Sequence, residues 1–193
     1  MSLIQRCRER RRHGEEDEGF TLIELLVVLL IIGILLAIAI PTFLSITKGA
    51  NGTAAQSNLQ TALTGVDTYY TNGPQSYQGL STSTTYSNIS QIDTGLTFQA
   101  AASTGAHTIS WYAPTNNQAI LLTAYAPGQN DCWGILDIKS TQTGGAILGE
   151  SAVGTYYFVY DKGAATNTTC VASTIATAPA DPYTVSASSF PPG

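Results

Sequence analysis

Glu24 is the side chain whose chemistry most needs a reason. It is the only ionisable residue in FTLIELLVVLLIIGILLAIAIPTFL, residues 20–44. A carboxylate inside hydrocarbon costs on the order of 3 kcal/mol on insertion scales and as a rule has a partner. Glu24 is therefore expected to neutralise a cation, the plainer alternative being a glutamate favoured by the macrodipole at a helix amino terminus. No other reactive groups gather into a constellation. Cys7 lies in a charged stretch with no base near it except His13, and His107 is the only histidine in the rest of the chain. The glycines at 144, 145 and 149 have neither the lysine nor the spacing of a phosphate loop. Asp131, Asp137 and Asp161 are scattered singly and read as solvated strand-end charges. After Lys162 only Asp181 is acidic, too little for a calcium site. No enzymatic activity, cofactor or metal is expected.

The element that must place Glu24 is the apolar run itself. At ~1.5 Å rise per residue, a helix over residues 20–44 crosses the ~30 Å hydrocarbon core of a bilayer. Arg6, Arg8, Arg10, Arg11 and Arg12 precede it, and Lys48 is the only nearby cation after it, so the amino terminus is expected in the cytoplasm and the remainder is expected to be exported. Residues 1–19 are hydrophilic and end in Gly19. An ordinary secretory signal places a shorter apolar stretch before an A-x-A site; no such site follows here, so cleavage is expected on the cytoplasmic side of the span.

Compartment then sorts the cysteines. Cys7 stays where thiols are reduced, while Cys132 and Cys170 fall in the exported part, where disulfides persist. These two are expected to pair, two separate buried thiols being the alternative. Beyond Gly19 the basic residues are Lys48, Lys139 and Lys162, against eight acidic side chains. That balance argues against nucleic acid as a partner, because such affinity rests on cationic side chains displacing counterions.

Past the span, Ala55, Leu59, Ala62, Leu63, Val66, Tyr69 and Tyr70 recur at helical spacing. One helix is expected over 20–71, stopped by Asn72-Gly73-Pro74. Pro41 removes one of its backbone hydrogen bonds and predicts a kink near Ile40. Gly49 and Gly52 each weaken it by up to ~1 kcal/mol relative to alanine. Residues 72–106, with STSTTYSNIS at their centre, predict a connecting loop with little regular structure. The runs 107–113, 118–126, 132–140 and 155–161 are rich in β-formers and separated by turn sequences such as PTNNQ and PGQND, and an antiparallel meander over 107–161 is the simplest reading. Alternation puts Ile109 and Trp111, and likewise Ile120, Leu122 and Ala124, on one sheet face that can bury against the amphipathic helix. In the last segment, 162–193, residues 171–193 predict a coil wrapped on the head and tethered at Cys170. The fold class is α+β: a long amino-terminal helix, transmembrane then amphipathic, packed on an antiparallel sheet within a head over 72–193.

Gly19-Phe20-Thr21-Leu22-Ile23-Glu24, opening an apolar helix with Pro41 near its far end, resembles the class III signal of bacterial type IV pilins and type II secretion pseudopilins. The resemblance is close over residues 15–45 and loose over the helix-plus-sheet plan. It implies that residues 1–19 are a leader, that a prepilin peptidase cuts between Gly19 and Phe20, and that Phe20 becomes an N-methylated first residue. A glycine suits that place because an absent side chain lets backbone enter a narrow cleft. The resemblance also implies that Glu24 answers the terminal ammonium of a neighbouring subunit in a helical homopolymer, since an unpaired charge in a low dielectric is strongly penalised. Pro41, with Gly49 and Gly52, would belong to a stretch that unwinds in the filament.

The function so implied is that of a pilin, the major subunit of a type IV pilus serving adhesion or motility, with pilus or secretion assembly machinery as further partners. Its implied location is the inner or cytoplasmic membrane as a single-pass precursor, then an extracellular filament. Competing readings are a type II secretion pseudopilin or minor pilin, a DNA-uptake pilin disfavoured by the acidic mature chain, and a membrane-anchored exported enzyme disfavoured by the missing site. Asn51, Asn88 and Asn167 open glycosylation sequons; such triplets arise often in Ser/Thr-rich sequence, and loop solvation is the plain alternative.

Overall fold

The computed structural model describes residues 19–73, 75–77, 80, 95–142, 146–161, 170–177 and 183–192. Residues 1–18, Pro74, the STSTTYSNIS stretch with Asn88, Lys162, Asn167 and Asp181 lie outside them. The chain divides into two compact units, 1–44 and 45–193. One helix, α1 (Leu22–Asn72), supplies most of the described part of the first unit and opens the second.

In the first unit α1 is apolar on every side. Each large apolar side chain from Phe20 to Leu44 is at least 44% exposed, so this stretch is not the buried helix of a water-soluble core. A helix greasy all round is stable only among apolar surroundings, and α1 is long and apolar enough to cross a membrane. In the second unit the pattern becomes one-sided: Gly52, Ala55, Leu59, Ala62, Gly65 and Val66 are buried. The opposite side exposes Thr53, Thr61, Thr64, Thr68 and Thr71. Each of these hydroxyls donates to the carbonyl four residues earlier, at 2.8–3.2 Å. The helix runs uninterrupted through Pro41, Gly49 and Gly52, and the expected stop holds: Gly73 N–H donates to Tyr69 O at 3.0 Å.

Among the described residues six strands follow: β1 (Thr97–Gln99), β2 (Thr108–Tyr112), β3 (Ala119–Ala126), β4 (Asp131–Ile138), β5 (Gly154–Asp161) and β6 (Tyr183–Ser186), with a short helix α2 (Ala172–Thr177) before the last. They lie side by side in sequence order. From β2 to β6 every pairing is antiparallel. Cross-strand rows such as Trp111, Leu122, Ile135 and Tyr157 result, and packing along such rows is the unit of sheet stability.

Three features differ from the sequence reading. β1 falls inside the expected loop and runs parallel to β2, and α2 and β6 replace the expected terminal coil. All three elements are too short to carry a readable period, and tertiary packing makes them. Both sheet faces are covered. Ile109, Trp111, Ile120, Leu122 and Ala124 pack with Ala55, Leu59, Ala62 and Val66 of α1, as alternation predicts. The other face carries Leu121, Leu136, Phe158 and Tyr160 under Ala172 and Ile175 of α2 and the tight turn of Ile147 and Leu148. That second cover explains why β3, AILLTAYA, is apolar at nearly every position and buried at all but one: a strand covered on both faces has no polar side to show.

Candidate functional site

Gly19, Phe20 and Thr21 precede the first turn of α1. Phe20 is 90% exposed, and among the described residues nothing stands within 4 Å of where a Gly19 side chain would begin. Glu24 is not idle in this arrangement. Thr21 N–H and Thr21 Oγ1 each donate to Glu24 Oε2 at 2.8 Å, and Glu24 N–H donates back to Thr21 Oγ1 at 3.3 Å. This is a reciprocal capping box, in which a Thr-x-x-Glu pair satisfies amides that a helix start leaves without partners. The carboxyl group thus has hydrogen bonds within one subunit. Pro41 lies well inside α1, followed by Thr42, whose Oγ1 donates to Ile38 O at 3.0 Å.

In the head, Asp137 corrects its reading as a solvated strand-end charge. It is 3% exposed and is the hub of a buried polar network. Tyr77 OH donates to its Oδ2 at 2.9 Å and Thr155 Oγ1 to its Oδ1 at 2.9 Å. Lys139 Nζ lies 2.9 Å from Asp137 Oδ2 and 2.7 Å from Asp67 Oδ1 on α1. Burial pushes the Tyr77 hydroxyl well above its ordinary pKa, and the Asp137 charge raises it further. Burial opposes the Lys139 ammonium, but hydrogen bonds to Asp67 and Asp137 outweigh it and the net shift is upward. A raised lysine pKa contributes stability that is fully present below its unfolded value, about 10.4, and is lost as pH rises through the higher folded value. The head is accordingly expected to lose stability above pH ~10.4 and Lys139→Met to flatten that loss, measured by urea unfolding across pH. Asp137→Ala, which strands a tyrosine, a threonine and part of an ion pair, is expected to cost about 3 kcal/mol in the same experiment at neutral pH.

Cys132, at the start of β4, and Cys170, two residues before α2, form a disulfide with Cα atoms 5.6 Å apart. Both are buried. The bond closes a separation of 38 residues, worth about 3–4 kcal/mol in the chain-entropy model. Reduction or Cys132→Ser is expected to lower the unfolding free energy by that amount, read from the urea midpoint. Asn51 is mid-helix, and its Nδ2 donates to Pro127 O at 2.7 Å in a part-buried bond, so only one hydrogen of that amide is uncommitted to this bond. Asn88 and Asn167 lie outside the described residues. His107 Nδ1 sits 3.2 Å from Asn58 Nδ2, a local contact beside the one Asn58 makes to Ala106 O. Sequence reasoning missed Tyr77 and Leu80, both buried in the core, and Phe190, whose ring packs edge-on to Trp133 and Tyr157.

A helix apolar and exposed at its start, capped through a lone glutamate, then one-sided against a mostly antiparallel sheet, defines a pilin-like subunit. Comparisons with known proteins agree. A family profile described as the prokaryotic N-terminal methylation motif matches residues 17–40. The Type IV narrow pilus major component PilA5 of Thermus thermophilus is 36% identical over 104 residues, covering 48% of this chain and 86% of that protein. The Type IV major pilin protein PilA of Myxococcus xanthus is 41% identical over 59 residues, 31% of this chain and 27% of that protein; the match thus spans about a quarter of that relative's length. No solved structure gives a significant match. The chain belongs to the type IV pilin family, whose members are structural subunits and not enzymes.

Proposed function

We propose that this chain is the major subunit of a type IV pilus. Residues 1–19 form a cytoplasmic leader that a prepilin peptidase removes by cutting between Gly19 and Phe20, and Phe20 is then N-methylated. The precursor waits as a single-pass protein in the cytoplasmic membrane, with residues 20–44 in the bilayer and the head, 72–193, exported. Assembly machinery then moves the helix from lipid into the core of a surface filament.

The observation that carries this reading is the apolar, exposed stretch of α1 directly after the Gly19-Phe20 junction and within the methylation motif. Apolar helices leaving lipid meet no hydrophobic gain by themselves, so their association rests on close packing and on polar groups that find partners. Glu24 supplies the anion for that purpose, and cleavage supplies the cation, a terminal ammonium at Phe20. The names of both relatives, each a major pilus component, favour the major subunit over a minor one.

Filaments sheared from the cell surface and resolved by mass spectrometry test the proposal. The dominant band is expected to be this chain, beginning at a methylated Phe20. A mature chain beginning elsewhere would sink the processing scheme, and this chain as only a trace component would assign it to a minor role.

A further inference from the structure

The turn between β3 and β4, residues 127–130, grips α1 one helical turn before its first buried apolar side chain, Ala55. Asn51 Nδ2 donates to Pro127 O at 2.7 Å, a part-buried bond between positions 76 residues apart. Gln129 lays its carboxamide over Gly52: a Cβ there would overlap Gln129 Oε1 and stand 3.1 Å from Cδ. Gly128, at φ +92°, brings its backbone against Lys48, whose Cγ lies 3.1 Å from where a Gly128 Cβ would be. Glycine is favoured at 128 by its backbone conformation, while at 52 a side chain would have to displace the Gln129 carboxamide. At Gly49, by contrast, nothing stands within 4 Å of a Cβ position.

We infer that residues 127–130 are a clasp that holds α1 helical over 48–52, the stretch that leads into the turns carrying Ala55 and Leu59. Two glycines three positions apart make this stretch intrinsically poor helix. Helix formation is cooperative, so a weak stretch opens unless something outside it holds it closed. Here the holding contacts come from one tight turn, shaped by Gly128 and by Asn130 at φ +66°, and they reach three residues of one helical turn. The inference goes beyond the filament reading and stands for the isolated subunit whether or not the chain polymerises.

Hydrogen exchange on the full chain in detergent micelles tests it, because alanine is a better helix former than asparagine. If propensity alone governs this stretch, Asn51→Ala slows exchange of the amides of residues 50–55 or leaves it unchanged. With the clasp, loss of the bond to Pro127 speeds exchange there about tenfold, and adding Gln129→Ala speeds it further, while the core amides of residues 59–66 keep their protection. Unchanged or slower exchange over 50–55 in both variants overturns the clasp. Equal acceleration over 59–66 overturns it as well, because the opening is then global.

Discussion

Replacing Glu24 with alanine is expected to leave cleavage between Gly19 and Phe20 intact and to lower filament yield by on the order of a hundredfold. The size follows from what is left behind. Removing one partner of a desolvated ion pair costs about 3–5 kcal/mol, because the other charge stays buried and unpaired, and each 1.4 kcal/mol is a factor of about ten in association. Within a single subunit the same change removes only the hydrogen bonds to Thr21, a capping contribution of about 1 kcal/mol, so the precursor still inserts and folds. Glu24→Gln separates the two roles. Glutamine keeps an oxygen that Thr21 can reach but carries no charge. If charge neutralisation drives assembly, the glutamine variant fails almost as badly as alanine; if capping is all that matters, it recovers. Sheared filaments quantified against mature subunit in the membrane give the readout, and a normal yield from the alanine variant rules out the pairing mechanism.

The second large effect lies in the head. Gly134 of β4 pairs with Phe158 of β5, and the Phe158 ring lies across the space a side chain would occupy: a Cβ on Gly134 would overlap Cζ and Cε1 and come within 2.8 Å of Cε2. Phe158 is fully buried, so its ring has nowhere to swing. Gly134→Ala is expected to destabilise the head by about 3 kcal/mol, the upper part of the range for an overpacked core, with a matching fall in the urea midpoint. Phe158→Leu should recover part of that loss in the Gly134→Ala background, although alone it leaves a cavity. Additive losses in the double variant would show that the ring and the glycine do not interact.

How legible all this was depends on the reach of each feature along the chain. The buried side of α1 shows in the sequence because Ala55, Leu59, Ala62 and Val66 keep helical spacing, and β2 to β5 show as runs of β-formers between turn sequences. β1, α2 and β6 have three, six and four residues; a period needs more length than that, and their stability comes from neighbours distant in sequence. Asp137 was readable in principle. It sits between Leu136 and Ile138, in a strand whose other acid, Asp131, is at the opposite end, and the reasoning that demands a partner for Glu24 demands one for Asp137 too. Its partner Tyr77, sixty residues earlier, lies in a stretch with no pattern to flag it. At the start of α1, Gly19 to Glu24 reads as a motif, and Thr21 three places before Glu24 fits a capping box by spacing alone. The grip of residues 127–130 on Asn51 and Gly52 is purely tertiary and leaves no sequence trace beyond an ordinary turn.

The sequential order of the sheet sets a timetable for building it. For a chain delivered amino-terminus first, β2 is out before β3, β3 before β4 and β4 before β5, so each new antiparallel strand finds its neighbour in sequence already waiting. Cys170 arrives after β1 to β5, which means oxidation to Cys132 fastens a sheet that lacks only β6 and has little opportunity to trap a wrong partner. β6 and Phe190 come last, β6 pairing with β5 at the sheet edge and the Phe190 ring closing on Trp133. A ribosome or translocon stalled before residue 183 would therefore leave a nearly finished head in which Trp133 lacks the edge-on ring of Phe190, a state that indole fluorescence can report.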